Sequence, residues 1–259
     1  MSYPNIQYLG YGKEKIASSV RTVSLGQLAA NQDGRLYQYG KASTAAAISA
    51  GYLCCGSVIT DAGTSVEFGL VAATAAVGDA TVVVTLAAGT AAIADQWAGG
   101  YLVTASSTGT GIGYEYKIAS NNSAAAGSAC TITLEPSDPI AVAIAGGTTR
   151  VGLRENLFNN VVITPAATSL PGNYIGVPPV NLSAGYYGWF QIKGEATGYV
   201  STGTAMVTGD QCVASTGYAG AFGVVAATSL TWSSRSKVLG EVRGVANTTG
   251  FTVINLHLV

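Results

Sequence analysis

The apolar segments of this chain are short, and Gly, Thr, Ser or Asp interrupts them every few residues. A helix that spans a membrane needs about 20 apolar residues in succession, and no segment approaches that length. No segment combines a capping residue with the 3.6-residue apolar period of an amphipathic helix. Even the Ala-rich stretch 42–50 lacks that period, and we expect it to be irregular. The sequence therefore predicts an all-β fold.

Strand patterns recur along the chain, most clearly in its C-terminal half. Residues 187–196 form the strongest pattern, with Trp189 on one face and Phe190 and Ile192 on the other. Because this segment is apolar on both faces, we expect it to be a central strand of the core. Residues 251–258 alternate as a strand does, and other short strands follow one another at intervals of about 8–12 residues. This spacing is typical of a β-sandwich or a β-barrel.

Composition and turn signals divide the chain into three predicted parts. Residues 1–30 read as an extended N-terminal arm. Residues 31–77 and 136–259 form the main barrel-like or sandwich-like β domain, and residues 78–135 read as an inserted β-hairpin region. Gly accounts for 34 of 259 residues, about 13%, against about 7% in average proteins. Such a composition suits many short strands joined by tight turns.

The predicted arm carries the candidate binding residues. Its aromatic and apolar residues follow no regular period, so the arm cannot form a core of its own and must lie on its own domain or on a neighbouring chain. Aromatic side chains favour interface cores, and basic side chains can orient the arm toward an acidic surface. The candidate partner-binding residues are Tyr3, Tyr8, Tyr11, Lys13, Lys15 and Arg21.

The charged residues are few and unevenly distributed. Residues 1–41 carry a net charge of +3, residues 42–149 a net charge of −6, and residues 150–259 a net charge of +2. The basic residues are too sparse for a nucleic-acid interface. The asymmetry suggests orientation on a partner or pairing between copies of the chain. Chance variation among so few charges is the alternative.

The residue types needed for catalysis or metal binding are scarce. His257 is the only histidine, and it lies in an alternating strand pattern that favours a structural role. The cysteines at 54, 55, 130 and 212 match no zinc spacing, and we expect buried thiols. The acidic residues are scattered rather than paired. We therefore expect a protein that is not an enzyme, with no catalytic residues, no metal and no cofactor.

Three stretches of sequence resemble structural proteins of tailed-phage virions, particularly those of phages that infect aquatic bacteria and cyanobacteria. They are LGQLA (25–29) with DGRLYQYGKA (33–42), GGYL (99–102) with GIGYEYKI (111–118), and GYYGWFQIKG (185–194). These landmarks fall in order over roughly residues 20–215, and they resemble capsid decoration proteins, also called cement proteins.

The resemblance implies a β-rich protein, often trimeric, that is bound to the outside of a phage capsid. Its partners would be the major capsid protein and further copies of itself, with neither nucleic acid nor membrane bound. The implied location is the virion surface, after assembly in the host cytoplasm. The first residues show no charged leader followed by an apolar core, so no signal peptide is expected. The alternative function is a tail or fibre protein that recognises a host receptor, although long repeats and heptads are not evident.

Overall fold

The computed structural model describes residues 6–56, 66–104, 109–166, 172–201, 205–224, 237–244 and 249–258. In this part of the chain the secondary structure is seventeen β-strands and one 3₁₀-helix, Lys13–Lys15. The strands are β1 Gln7–Tyr8, β2 Leu28–Ala30, β3 Leu36–Lys41, β4 Cys54–Gly56, β5 Val66–Ala72, β6 Thr81–Thr85, β7 Tyr101–Thr104, β8 Glu115–Asn121, β9 Ala129–Leu134, β10 Arg150–Arg154, β11 Val161–Ile163, β12 Tyr174–Gly176, β13 Tyr187–Ser201, β14 Gln211–Ala214, β15 Phe222–Val224, β16 Gly240–Val242 and β17 Thr249–His257. The predicted all-β fold is confirmed, and the stretch 42–50 contains no helix.

Alternation of side chains explains why these segments are strands. In β6 the side chains of Val82 and Val84 are buried while Thr81, Val83 and Thr85 are exposed. β17 alternates in the same way, and its buried side chains are Thr252, Ile254 and Leu256. Because successive strand residues point to opposite faces, a period of two buries one face of each segment.

The chain divides into two units, and each has its own core. Unit 1 comprises Met1–Ser57 and Leu157–Val259, and unit 2 comprises Val58–Asn156. Unit 2 is therefore a continuous stretch of sequence inserted between two parts of unit 1. It extends beyond the predicted insertion, residues 78–135, at both ends.

Unit 2 is a closed barrel of six strands in the order β10-β5-β6-β9-β8-β7. The predicted hairpin region supplies four of these strands, and β5 and β10 complete the ring by pairing with each other. All six pairings are antiparallel. The interior is a single apolar cluster that includes Trp97, Tyr116 and Ile132. Each of these six strands pairs on both sides, whereas an isolated hairpin has two unpaired edges.

Unit 1 is organised around the 15-residue strand β13. The N-terminal half of β13 pairs with β3, and the C-terminal half pairs with β17 along nine residues. Strands β13, β15, β14, β16 and β17 close into a ring, while β3, β2 and β1 extend the sheet outward from β13. A separate three-stranded sheet has the order β11-β4-β12.

The predicted position of β13 at the centre of the core is confirmed. Trp189 packs with Leu9, Ala29, Tyr37 and Tyr39 in one buried cluster. Phe190 packs in a second buried cluster, and Ile192 in a third. Neighbouring residues of this strand therefore stabilise different parts of unit 1.

A short motif recurs before six strands. A buried or half-buried apolar residue is followed three positions later by a glycine with positive φ, and a strand begins within six residues of the apolar residue. In each motif the residue directly after the apolar one accepts, through its carbonyl, a hydrogen bond from the N–H of the residue directly after the glycine. The glycine is thus the third residue of a four-residue turn, the position of a type II turn that favours glycine. The six apolar–glycine pairs are Ile48–Gly51, Ala75–Gly78, Ala124–Gly127, Ile144–Gly147, Leu182–Gly185 and Met206–Gly209.

Several of these motifs bind one another. Ile48 and Leu182 exchange two backbone hydrogen bonds of 2.8 Å, and Ala75 and Ile144 exchange bonds of 3.2 and 2.9 Å. Both pairs are antiparallel bridges. On both segments of each short pairing, the paired residue is therefore followed by a turn and then by a strand. This arrangement occurs in unit 1 and again in unit 2.

Candidate interaction surface

The described part of the arm, residues 6–30, lies along the outer margin of the unit 1 sheet. Strand β1 pairs in parallel with β2, and the Leu9 N–H donates to the carbonyl of Ala30 at 2.9 Å. Further along, Ser18 and Tyr187 exchange backbone hydrogen bonds of 3.0 and 2.8 Å. The described arm therefore rests on its own unit.

Burial of a few arm residues fixes this arrangement. The side chains of Leu9 and Ala29 enter the cluster that contains Trp189, and Val23 and Leu25 pack against it. These apolar contacts hold the arm in place, since the segment has little regular secondary structure of its own.

Most apolar side chains at the start of the arm nevertheless face solvent. Five of the nineteen large apolar side chains that are exposed in the described residues lie within positions 6–20, with exposed fractions of 48–69%. They are Ile6, Tyr8, Tyr11, Ile16 and Val20. Solitary exposed apolar residues are common, but such a concentration along one segment is typical of an interaction site.

Basic side chains accompany these apolar residues. Lys13, Lys15 and Arg21 are exposed, whereas Glu14, the acidic residue between the two lysines, is buried. Burial of Glu14 removes a negative charge from the solvent side of the arm. We call the exposed set the arm surface: Ile6, Tyr8, Tyr11, Lys13, Lys15, Ile16, Val20 and Arg21.

Polar groups beneath the arm are incompletely satisfied. Within the part of the chain that the structure describes, Glu14 Oε2 and both side-chain polar atoms of Asn31 are buried without a hydrogen-bond partner. Burial raises the pKa of Tyr37 to about 12. Nearby, Arg35 Nε donates to Asp33 Oδ2 at 2.7 Å. Unsatisfied buried groups cost free energy, so these residues offset part of the stabilisation from the apolar contacts of the arm.

The structure places the predicted binding residues on several short elements. Tyr8 lies in β1, Tyr11 in the turn that follows, Lys13 and Lys15 in the 3₁₀-helix, and Arg21 beyond Ser18. All five are exposed, and within the described part of the chain no hydrogen bond, ion pair or ring contact joins their side chains. Tyr3 lies outside the described residues.

A second exposed surface lies at one end of the unit 2 barrel, and it was not predicted. Because neighbouring strands are antiparallel, the starts of β6 and β8 and the end of β9 meet at the same end. Backbone hydrogen bonds link the turns there, including Gly78 N–H to the Ile140 carbonyl at 2.8 Å.

We call this second surface the barrel rim. Val77, Ile112 and Tyr114 are exposed apolar residues on it. Its acidic residues are Asp79, Glu115, Glu135 and Asp138, while the half-buried Arg150 begins β10 at the same end. The sequence signal that could have revealed it is the proximity of a large apolar residue and an acid in two of its turns, Val77 with Asp79 and Tyr114 with Glu115.

The two units carry opposite net charges. Unit 1 contains nine basic and five acidic residues, a net charge of +4, and unit 2 contains three basic and eight acidic residues, a net charge of −5. The sign of the net charge along the sequence therefore changes close to the boundaries between the two units.

The histidine and the four cysteines considered in the sequence all lie in β-strands. His257 is exposed at the end of β17, where its Nε2 lies 3.1 Å from Asn255 Nδ2. The four cysteines are buried thiols, and burial raises the pKa of Cys54 and Cys212.

Among the residues that the structure describes, no three His, Cys, Asp or Glu side chains are grouped as metal ligands. Within the same residues, no helix has the length and hydropathy to cross a membrane.

Comparison with known proteins adds no relative. The chain matches no protein-family model, and it has no significant match among the curated proteins or the solved structures compared with it.

Proposed function

We propose that this protein is a phage capsid decoration protein, which binds the outer shell of the head and bridges subunits of the major capsid protein. The observation that carries the proposal is the arm surface, where exposed apolar and aromatic side chains lie close in sequence to exposed basic ones. Buried aromatic side chains dominate the cores of protein interfaces, and charges at the margins direct association.

The arm would act by contacting another chain, either the shell or a neighbouring copy. Capsid shells present the same site many times, so a modest gain at each contact becomes large over the whole particle. The virion surface is the corresponding location. A homotrimer is the proposed assembly, which follows from the sequence resemblance.

Deletion of residues 1–20 tests the role of the arm. We expect the truncated protein to occupy DNA-filled heads less completely and to protect them less well against heat. Deletion also removes Leu9 from the core, so a second variant is needed that leaves the core intact. Tyr8→Ser with Tyr11→Ser removes two exposed rings from the arm surface, and Tyr186→Ser with Tyr218→Ser is the matched control outside the arm.

The occupancy measurements separate the outcomes. Reduced binding by the arm double variant and unchanged binding by the control support the proposal. Full occupancy and full protection with both arm variants would show that the arm has no cementing role. A tail or fibre protein would instead be found in few copies on each virion, attached to the tail, and quantitative cryo-electron microscopy of the virion distinguishes that result.

A further inference from the structure

The arm surface and the barrel rim have matching compositions with opposite charge. On the arm, Tyr11 is near Lys13 in sequence, and Ile16 and Val20 adjoin Lys15 and Arg21. On the rim, Val77 is near Asp79, and Tyr114 adjoins Glu115. Both surfaces therefore combine large exposed apolar side chains with charges of a single predominant sign.

From this complementarity we propose that the arm surface of one copy docks on the barrel rim of a neighbouring copy. The inference takes its biological setting from the proposed decoration function, and it names which of the two possible partners the arm binds. Apolar side chains would form the centre of the contact, and Lys13, Lys15 and Arg21 would face the rim carboxylates.

A second copy is the occupant that the charges favour. Every copy carries both surfaces, and the net charges of +4 on unit 1 and −5 on unit 2 direct unlike units of two copies toward each other. The contact is heterologous, because the two copies contribute different patches. A heterologous contact that closes produces a cyclic oligomer, as a trimeric decoration protein requires.

The rim is held in a defined shape by its own hydrogen bonds. Asp79 Oδ2 accepts from the Ala76 N–H at 2.7 Å, and Asp138 Oδ2 accepts from the Lys117 N–H at 2.6 Å. Substitution of either residue would disturb a turn. Glu115 is exposed and Glu135 is half-buried, and these two are the better positions for a change of charge.

The experiment measures self-association of the full chain in solution without capsids. Sedimentation velocity is recorded for the unmodified protein, for an arm variant with Lys13→Glu and Lys15→Glu, and for a rim variant with Glu115→Lys and Glu135→Lys. The control, Lys193→Glu with Arg243→Glu, makes the same charge change as the arm variant at exposed positions of unit 1 outside the arm. Circular dichroism and thermal unfolding establish that all four proteins fold.

Charge reversal is expected to weaken self-association at least about fivefold in the arm and rim variants, since attraction becomes repulsion at two positions. The control should associate as the unmodified protein does. Raising NaCl from about 0.05 to about 0.5 M should weaken association of the unmodified protein.

A mixture of the arm and rim variants gives the sharpest result. The acidic arm of one variant then meets the basic rim of the other, and the basic arm of the second meets the acidic rim of the first. We expect the mixture to associate more tightly than either variant does alone. A monomeric unmodified protein, an equal loss in the control, or no recovery in the mixture would overturn the inference. Because no shell is present, such a failure leaves the decoration function to be judged by the head-binding experiment.

Discussion

Replacement of Trp189 by Ala tests whether unit 1 depends on the cluster shared by β13 and the arm. The side chain of Trp189 is 5% exposed, and its ring meets that of Tyr39 edge-on, with 5.0 Å between centroids and 63° between planes. Leu9 of the arm belongs to the same cluster. Removal of the indole would leave a cavity between β13, β3 and the arm.

The magnitude follows from this near-complete burial. A buried Trp replaced by Ala costs about 3–5 kcal/mol, of which a paired aromatic contact contributes about 0.5–1.5 kcal/mol. A domain is stable by about 5–15 kcal/mol, so unit 1 would lose a large part of its free energy of unfolding. With a denaturant slope of about 2 kcal/mol per molar urea, the midpoint should fall by about 1.5–2.5 M.

Urea unfolding followed by circular dichroism measures the loss, and hydrogen exchange locates it. Peptides from β13, β3 and the arm should exchange faster, while peptides from the unit 2 barrel should keep their protection. Tyr218→Ala removes an exposed ring and should change stability by less than about 0.5 kcal/mol. A loss below about 1 kcal/mol for Trp189→Ala would refute the central role of this cluster.

Two further predictions concern backbone conformation and titration. Gly185 has a φ of 75°, and a Cβ there would meet nothing nearer than 3.6 Å, so Gly185→Ala should cost about 1–2 kcal/mol through backbone strain alone. Gly10→Ala, at a position with open space and no positive φ, should be nearly neutral in the same thermal-unfolding assay, and equal costs would contradict this account. Burial, reinforced by the charges of Asp210 and Glu241, raises the pKa of Cys212 from 9.0 to about 12, so the unfolded chain loses this proton first and stability should fall as pH rises between those values. Urea midpoints at pH about 8 and about 10.5 should therefore diverge less for Cys212→Ala than for the unmodified chain, and an identical divergence would argue against the assigned cause.

Local patterns were sufficient to predict the strands that carry strong signals. β13 was predictable because Trp189, Phe190 and Ile192 make both of its faces apolar, and β17 because its residues alternate. The absence of helix in residues 42–50 followed from the missing amphipathic period. Each of these features depends on neighbouring residues alone.

Long-range pairing was not predictable in the same way. Closure of the unit 2 barrel depends on the pairing of Val66 with Arg154, and nothing in either local sequence indicates the other. Strand β1 contains two residues and pairs with a distant strand. The turn motif has one fixed glycine and a variable apolar residue, so its recurrence becomes evident only when positive φ values coincide with strand starts.

The candidate site was predicted at the level of single residues. Tyr8, Tyr11, Lys13, Lys15 and Arg21 are exposed as an interface requires, although their role in binding another chain stays a prediction. Burial of Glu14 between two exposed lysines could not be read from the sequence, because charge alone favours exposure. The barrel rim escaped prediction because its acids come from turns that only barrel closure brings together.

The pairing of β5 with β10 has a consequence for the order of folding. Strands β3 and β13 must find each other across the whole of unit 2, and such a distant contact slows folding because a long loop has to close first. The β3–β13 contact closes a loop of about 145 residues between Lys41 and Tyr187, and prior pairing of Val66 with Arg154 shortens the effective loop to about 60 residues. The entropy of loop closure grows by about 0.6 kcal/mol for each doubling of length, so early formation of the barrel lowers the cost of the β3–β13 contact by about 0.8 kcal/mol. We expect the unit 2 barrel to fold before strands β3 and β13 of unit 1 pair.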